Sequence, residues 1–136
     1  MISLNKVLLI GKVATEPRMK ITKNGQRIVT FKLITSSSWL DTKSNEMQTK
    51  PEWHSVAAFG KVADKAQENL KHDSIVYIEG AIQTRKVPVV ATTGEDLFKQ
   101  VTEIRAIDLM CLKDTDNLIS DNLGNTYDYY DDEEEN

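Results

Sequence analysis

The stretch Pro51-Glu-Trp-His-Ser-Val-Ala-Ala-Phe-Gly-Lys61 decides how the chain is read. Successive side chains of a strand point to opposite faces, so Trp53, Ser55, Ala57 and Phe59 share one face and His54, Val56 and Ala58 share the other. Large aromatics are ordinarily core residues, yet two rings on one face of a single strand ask for a reason beyond packing. The strand stops at Gly60, and from Lys61 onward Val62, Ala63, Ala66 and Leu70 recur at helical spacing. One short amphipathic helix over residues 61–71 follows, closed near His72-Asp73, where Asp tolerates a left-handed conformation.

Upstream of this stretch, residues 5–13 read as a strand that is apolar on both faces, broken at Gly11. Such a strand is either central in a sheet or covered by another subunit. Thr15-Glu-Pro17 signals a turn, and residues 18–22 continue as the rest of a bent strand. Asn24-Gly25 is a hairpin turn. Residues 28–35 then alternate, with Val29, Phe31 and Leu33 toward the core and Thr30 and Lys32 toward solvent or ligand. Residues 36–49 lack apolar periodicity and read as a loop containing Trp39, whose neighbours Ser38 and Asp41 argue against burial.

Downstream, residues 75–83 return to strand, with Val76, Ile78, Gly80 and Ile82 on one face and Tyr77, Glu79 and Ala81 on the other. Gly80 marks a bulge or a sharp barrel bend. An excursion from Thr84 through Pro88 and Gly94 leads to a last strand over residues 101–112. The reading is an all-β chain: five short antiparallel strands with one helix between the third and fourth. That is the connectivity of an OB-fold barrel, which often binds single-stranded nucleic acid.

Charge divides the 136 residues into two parts. Residues 1–113 hold all 17 Lys and Arg against 12 Asp and Glu, a net +5; residues 114–136 hold 9 acidic residues and no base, so the whole is -4. A basic body with an acidic tail is the pattern of a polyanion binder carrying its own competitor or interaction arm. The expected division is an OB-fold domain over residues 1–113 and a disordered acidic tail over residues 114–136, since like charges at that density cannot bury a core. No apolar run approaches membrane-spanning length, no secretory signal pattern opens the chain, and Cys111 is the only cysteine. A reducing, cytoplasmic setting is expected. The residues offer no phosphate-cradling glycine loop and no metal-ligand spacing, so no enzyme, metal or cofactor is expected. A nuclease would have to gather Asp41, Glu46 and Glu52 around a metal, and no spacing argues for it. The alternative from another class is an adaptor or replication-restart protein working through its tail.

Six motifs in order carry a resemblance. Asn5-Lys6-Val7 with Ile10-Gly11, Thr35-Ser36 with Trp39, Glu52-Trp53-His54 with Phe59-Gly60-Lys61, Val76-Tyr77-Ile78-Glu79-Gly80, Thr84-Arg85-Lys86 and Thr102-Glu103-Ile104 together resemble the bacterial-type single-stranded DNA-binding protein family over roughly residues 4–112. The resemblance implies a homotetramer that binds single-stranded DNA without sequence preference in replication, recombination and repair, associated with the nucleoid. It implies stacking on bases by Trp39, Trp53 and Phe59, and phosphate contacts by Lys20, Lys61, Arg85 and Lys86. His54 matches a histidine at the family's subunit interface, where the first strand (Val7, Leu9) and Tyr77 are also expected. Three departures stand out. Val87 occupies a position where the family often has tryptophan, for which Phe98 is a candidate substitute; Ser55 follows the Trp-His pair where a base is common; and the sequence finishes in Asn136 rather than the apolar tip that partner proteins capture.

Overall fold

The computed structural model describes residues 1–113 apart from positions 91 and 95; the acidic segment expected to be disordered lies outside the described residues. The elements in order are β1 (Val7–Val13), β2 (Arg18–Ile21), β3 (Arg27–Leu40), β4 (Met47–Phe59), α1 (Lys61–Asn69), β5 (Ile75–Val90) and β6 (Asp96–Lys113). Neighbouring strands run β1-β5-β6-β4-β3-β2, and β1 also pairs with β3 through Lys12 opposite Ile34 and Val13 opposite Leu33. That last pairing closes the sheet on itself. Because β2 continues β1 after the Pro17 turn and lies on the same neighbour, β3, the two are halves of one bent strand, and the barrel is five-stranded.

Alternation builds the interior. Val29, Phe31 and Leu33 of β3, Val56 and Ala58 of β4, Val76 and Ile78 of β5 and Ile104, Ala106 and Leu109 of β6 all point inward and are buried. α1 lays Ala63 and Ala66 on this core, and Leu70, just past its end, joins them. The helix is shorter than its periodicity implies, stopping at Asn69, but the left-handed residue falls as expected, at Asp73 with φ 75°. The hairpin at Asn24-Gly25 is also present, with Gly25 at φ 81° and its N–H donated to the Thr22 carbonyl at 2.8 Å. At Gly80 the β5–β6 register shifts, and a Cβ there would collide with the carbonyl oxygen of Arg105. The bulge predicted at this glycine is real, and its cause is close backbone approach.

Three sequence expectations need correction. Residues 36–49 are a loop only at 41–46: β3 and β4 continue as an antiparallel ladder out to Leu40 opposite Met47, so Trp39 lies in a strand opposite Gln48. Residues 84–90 and 96–100 are not an irregular excursion: β5 and β6 pair continuously out to Val90 opposite Asp96. Both hairpins project beyond the barrel, where neither face is buried, and apolar periodicity reports burial rather than strand pairing. Cross-strand polar pairs take the place of apolar ones, with Ser38 Oγ 3.0 Å from Thr49 Oγ1 and Thr84 Oγ1 3.3 Å from Thr102 Oγ1. The third correction concerns direction. β4 and β6 run parallel (Val56, Ala57 and Ala58 beside Ile104, Arg105 and Ala106), which α1 and β5 permit by supplying the long connection that parallel neighbours require.

Candidate nucleic-acid interface

The outward face of β3 and β4 follows directly from the register. Ile28 is opposite Phe59, Thr30 opposite Ala57, Lys32 opposite Ser55 and Ile34 opposite Trp53, and each pair points to the same side, away from the core. The face continues onto β2, where Lys20 is opposite Ile28 and Arg18 opposite Thr30, and onto β6, where Arg105 lies beside Ala57. Trp53 is 57% exposed on this face, paired with Ile34 of β3 just beyond the stretch where β4 also meets β6. Phe59 is half-buried, and the Arg105 guanidinium carbon lies 4.6 Å from its ring centroid.

Between the two rings the face is concave. Arg18, Lys20, Lys32, Arg85, Glu16 and Glu103 help to line a groove of about 430 Å³. Arg18 and Lys20 form no ion pair among the described residues, and Lys32 Nζ donates to Ser55 Oγ at 2.5 Å without meeting a carboxylate. Arg85 differs, because its Nε donates at 2.9 Å to Oε1 of Glu103, whose side chain is only 8% exposed. A carboxylate buried that far needs a charged partner, so part of Arg85's charge is already committed within the protein.

The expected site residues therefore divide. Trp53, Phe59, Lys20 and Arg85 belong to one outward surface. Trp39 is 47% exposed, but strict alternation puts it on the opposite pleat face of the β3–β4 hairpin from Trp53. Lys61 is exposed in the first turn of α1, just beyond Phe59, and lies outside the groove. Lys86, opposite Gln100, points away from the side that carries Arg85 and Val87. Phe98, opposite Pro88, shares the face of Lys86, whereas Val87 is opposite Lys99. A side chain at 98 thus stands on the other side of the ribbon from one at 87.

The interface residues divide as well. Val7 and Leu9 pack against the core, and the outward residues of β1 are Leu8 and Ile10. Tyr77 is half-buried in an outward row between Ile10 and Met110. His54 is half-buried, with Nε2 2.9 Å from Thr35 Oγ1 of the neighbouring strand. Sequence reasoning missed Arg18 and Arg105. Lys32 had a signal, its place on the solvent or ligand side of β3; Arg18 and Arg105 had none short of the strand register.

Residues 4–110 match the Single-strand binding protein family. Among solved structures, the chain is similar to the Plasmodium falciparum SSB in complex with single-stranded DNA: 34% identity, TM-score 0.71, covering 83% of this chain and 98% of that one. It is also similar to a deletion variant of the single-stranded DNA binding protein from Thermus aquaticus, at 26% identity and TM-score 0.68, covering 81% of this chain and 51% of that one. This chain spans about half the length of the Thermus protein. With the match running through every strand of the barrel, the chain belongs to the Single-strand binding protein family.

Proposed function

We propose that this protein binds single-stranded DNA without sequence preference, by stacking bases on exposed rings and neutralising phosphates in the adjoining groove. The observation that carries this reading is Trp53, held exposed on the same outward surface as Arg18, Lys20 and Lys32. Every base has a π-face, so ring stacking is indifferent to sequence, and each base–aromatic contact contributes roughly 1–3 kcal/mol. Unpaired cations beside the ring draw the backbone in and release its counterions, so that affinity falls with salt. In this reading Trp53 and Phe59 contact bases and Lys20 contacts phosphate. Trp39 joins from a strand that reaches past the others, and Lys61 and Lys86 extend the path at its two ends. The protein acts as a binding module rather than an enzyme, as a homotetramer serving replication, recombination and repair.

Intrinsic fluorescence titrated with poly-dT tests it. Emission should be quenched on saturation, and Trp53→Ala should weaken binding by roughly 1–3 kcal/mol, about 5- to 150-fold. Unchanged emission at saturating oligonucleotide would remove the stacking account.

A further inference from the structure

Phe59 is not a bare ring. The Arg105 guanidinium lies 4.6 Å from its centroid, within the range at which a cation is attracted to an aromatic face. Three further observations bear on what Arg105 does. It stands exposed on β6, on the outward surface, beside Ala57 of β4. Its side chain makes no ion pair or hydrogen bond to any described residue, in contrast to those of Arg85, Arg27 and Lys65, each of which meets a carboxylate. Its backbone is also fixed: the carbonyl of Arg105 packs against Gly80 at the register shift of β5 and β6, where no side chain fits between them. An exposed arginine usually loses rotamer freedom when it engages a ligand; here the ring has already restricted it, and no carboxylate competes for its charge.

We propose that Arg105 is a DNA-contacting residue and that it and Phe59 form one nucleotide subsite, the ring and the guanidinium plane offering the stacking surface and the guanidinium edge binding the adjoining phosphate. This rests on the DNA-binding reading of the outward face. A planar guanidinium stacks on rings and bases while its N–H edge stays free for phosphate oxygens, whereas a lysine at the same place supplies charge without the plane. The subsite extends the groove beyond Lys20, whose row across β2, β3 and β4 ends at Phe59.

The test is a poly-dT titration of the full chain over a range of salt concentrations, for wild type, Arg105→Ala, Arg105→Lys, Phe59→Ala and the double variant Arg105→Ala/Phe59→Ala, with Trp53→Ala as the control for the face itself. Arg105→Ala should weaken binding and shallow the log-affinity against log-salt slope by about 0.7, one phosphate on a single strand, so a tenfold rise in salt costs it about fivefold less affinity than wild type. Arg105→Lys should keep the slope and recover only part of the affinity. The double variant should lose less than the product of the two single losses, because the residues act as a unit. A wild-type slope and affinity for Arg105→Ala, with Trp53→Ala still impaired, would overturn the subsite and leave the DNA-binding reading standing. So would a loss for Arg105→Ala that Arg105→Lys does not relieve and that leaves the slope unchanged, since that is a packing defect. Absence of poly-dT binding by the wild type would overturn both.

Discussion

Arg85 and Glu103 show how a residue's surroundings alter its part in binding. Glu103 is an outward-facing carboxylate on the same surface as the groove cations, yet it is buried and accepts from Arg85 at 2.9 Å. Drawing Arg85 away to a phosphate would leave that carboxylate without its partner, so in the proposed site Arg85 should be a weaker phosphate ligand than Lys20 or Lys32, whose charges are not so engaged. Arg85→Ala should therefore act mainly on stability, lowering it by about 1–2 kcal/mol because half of the arginine is in solvent, and the additional change Glu103→Gln should restore most of the loss. Denaturant unfolding measures both. In DNA titrations Lys32→Ala should shallow the salt slope by about 0.7, and Arg85→Ala by clearly less.

At the scale of elements, α1 is tied to the barrel by charge as well as by Ala63 and Ala66. Asp64, in its first turn, accepts from Arg27 Nε at 2.5 Å and Nη2 at 2.7 Å, and Lys65 donates to Asp108 of β6 at 3.2 Å. The Arg27 hydrogen bonds hold the Asp64 carboxyl below its ordinary value of 3.8. Asp108 is held low by the Lys65 hydrogen bond and then by the Leu109 N–H. A carboxyl whose folded pKa is depressed contributes stability that is present above the unfolded value and is lost as pH falls through the folded one. Melting temperature should accordingly be insensitive to these pairs from neutral pH down to about 4 and fall below it, with Asp64→Asn showing a smaller acid-dependent drop than wild type; thermal melts between pH 3 and 7 decide. In the long hairpins, backbone pairing and hydroxyl contacts such as Ser38–Thr49 and Thr84–Thr102 are joined in β5–β6 by the Arg85–Glu103 ion pair.

At the scale of the molecule, the described residues present two outward surfaces of different chemistry. One carries the groove, Trp53 and the Phe59–Arg105 pair. The other, on β1, β5 and β6, exposes Leu8, Ile10 and Met110 around the half-buried Tyr77, flanked by the Lys6–Glu79 pair at 3.1 Å. Exposed apolar side chains on adjacent strands suit a surface that another chain covers, and this face is the one we propose for the tetramer. Ile10→Arg should weaken association by about 2–4 kcal/mol, roughly 30- to 1,000-fold, by burying a charge with no partner. Light scattering should then report a smaller mass while circular dichroism is unchanged; an unaltered mass would move the interface elsewhere. No helix of the described residues is long and apolar enough to cross a membrane.

By itself the sequence determined the barrel: wherever one face of a strand is buried, as at Val29, Phe31 and Leu33 or at Val76 and Ile78, alternation is written into neighbouring residues and can be read locally. The left-handed Asp73 is likewise a demand of local backbone, and Gly80 marked a bend in the sequence although the Arg105 carbonyl that excludes a side chain there comes from a distant strand. Order and spacing of short motifs carried the family. Only the tertiary structure decided that Trp39 lies in a strand and faces away from Trp53, that Phe98 does not share a side with Val87, that β1 turns outward Leu8 and Ile10 rather than Val7 and Leu9, and that Glu103 engages Arg85 while Arg105 rests on Phe59. The physical reason is common to all of them. Local patterns record which side chains leave water, but the register of strands and the contacts between residues distant in sequence are settled only when the sheet closes.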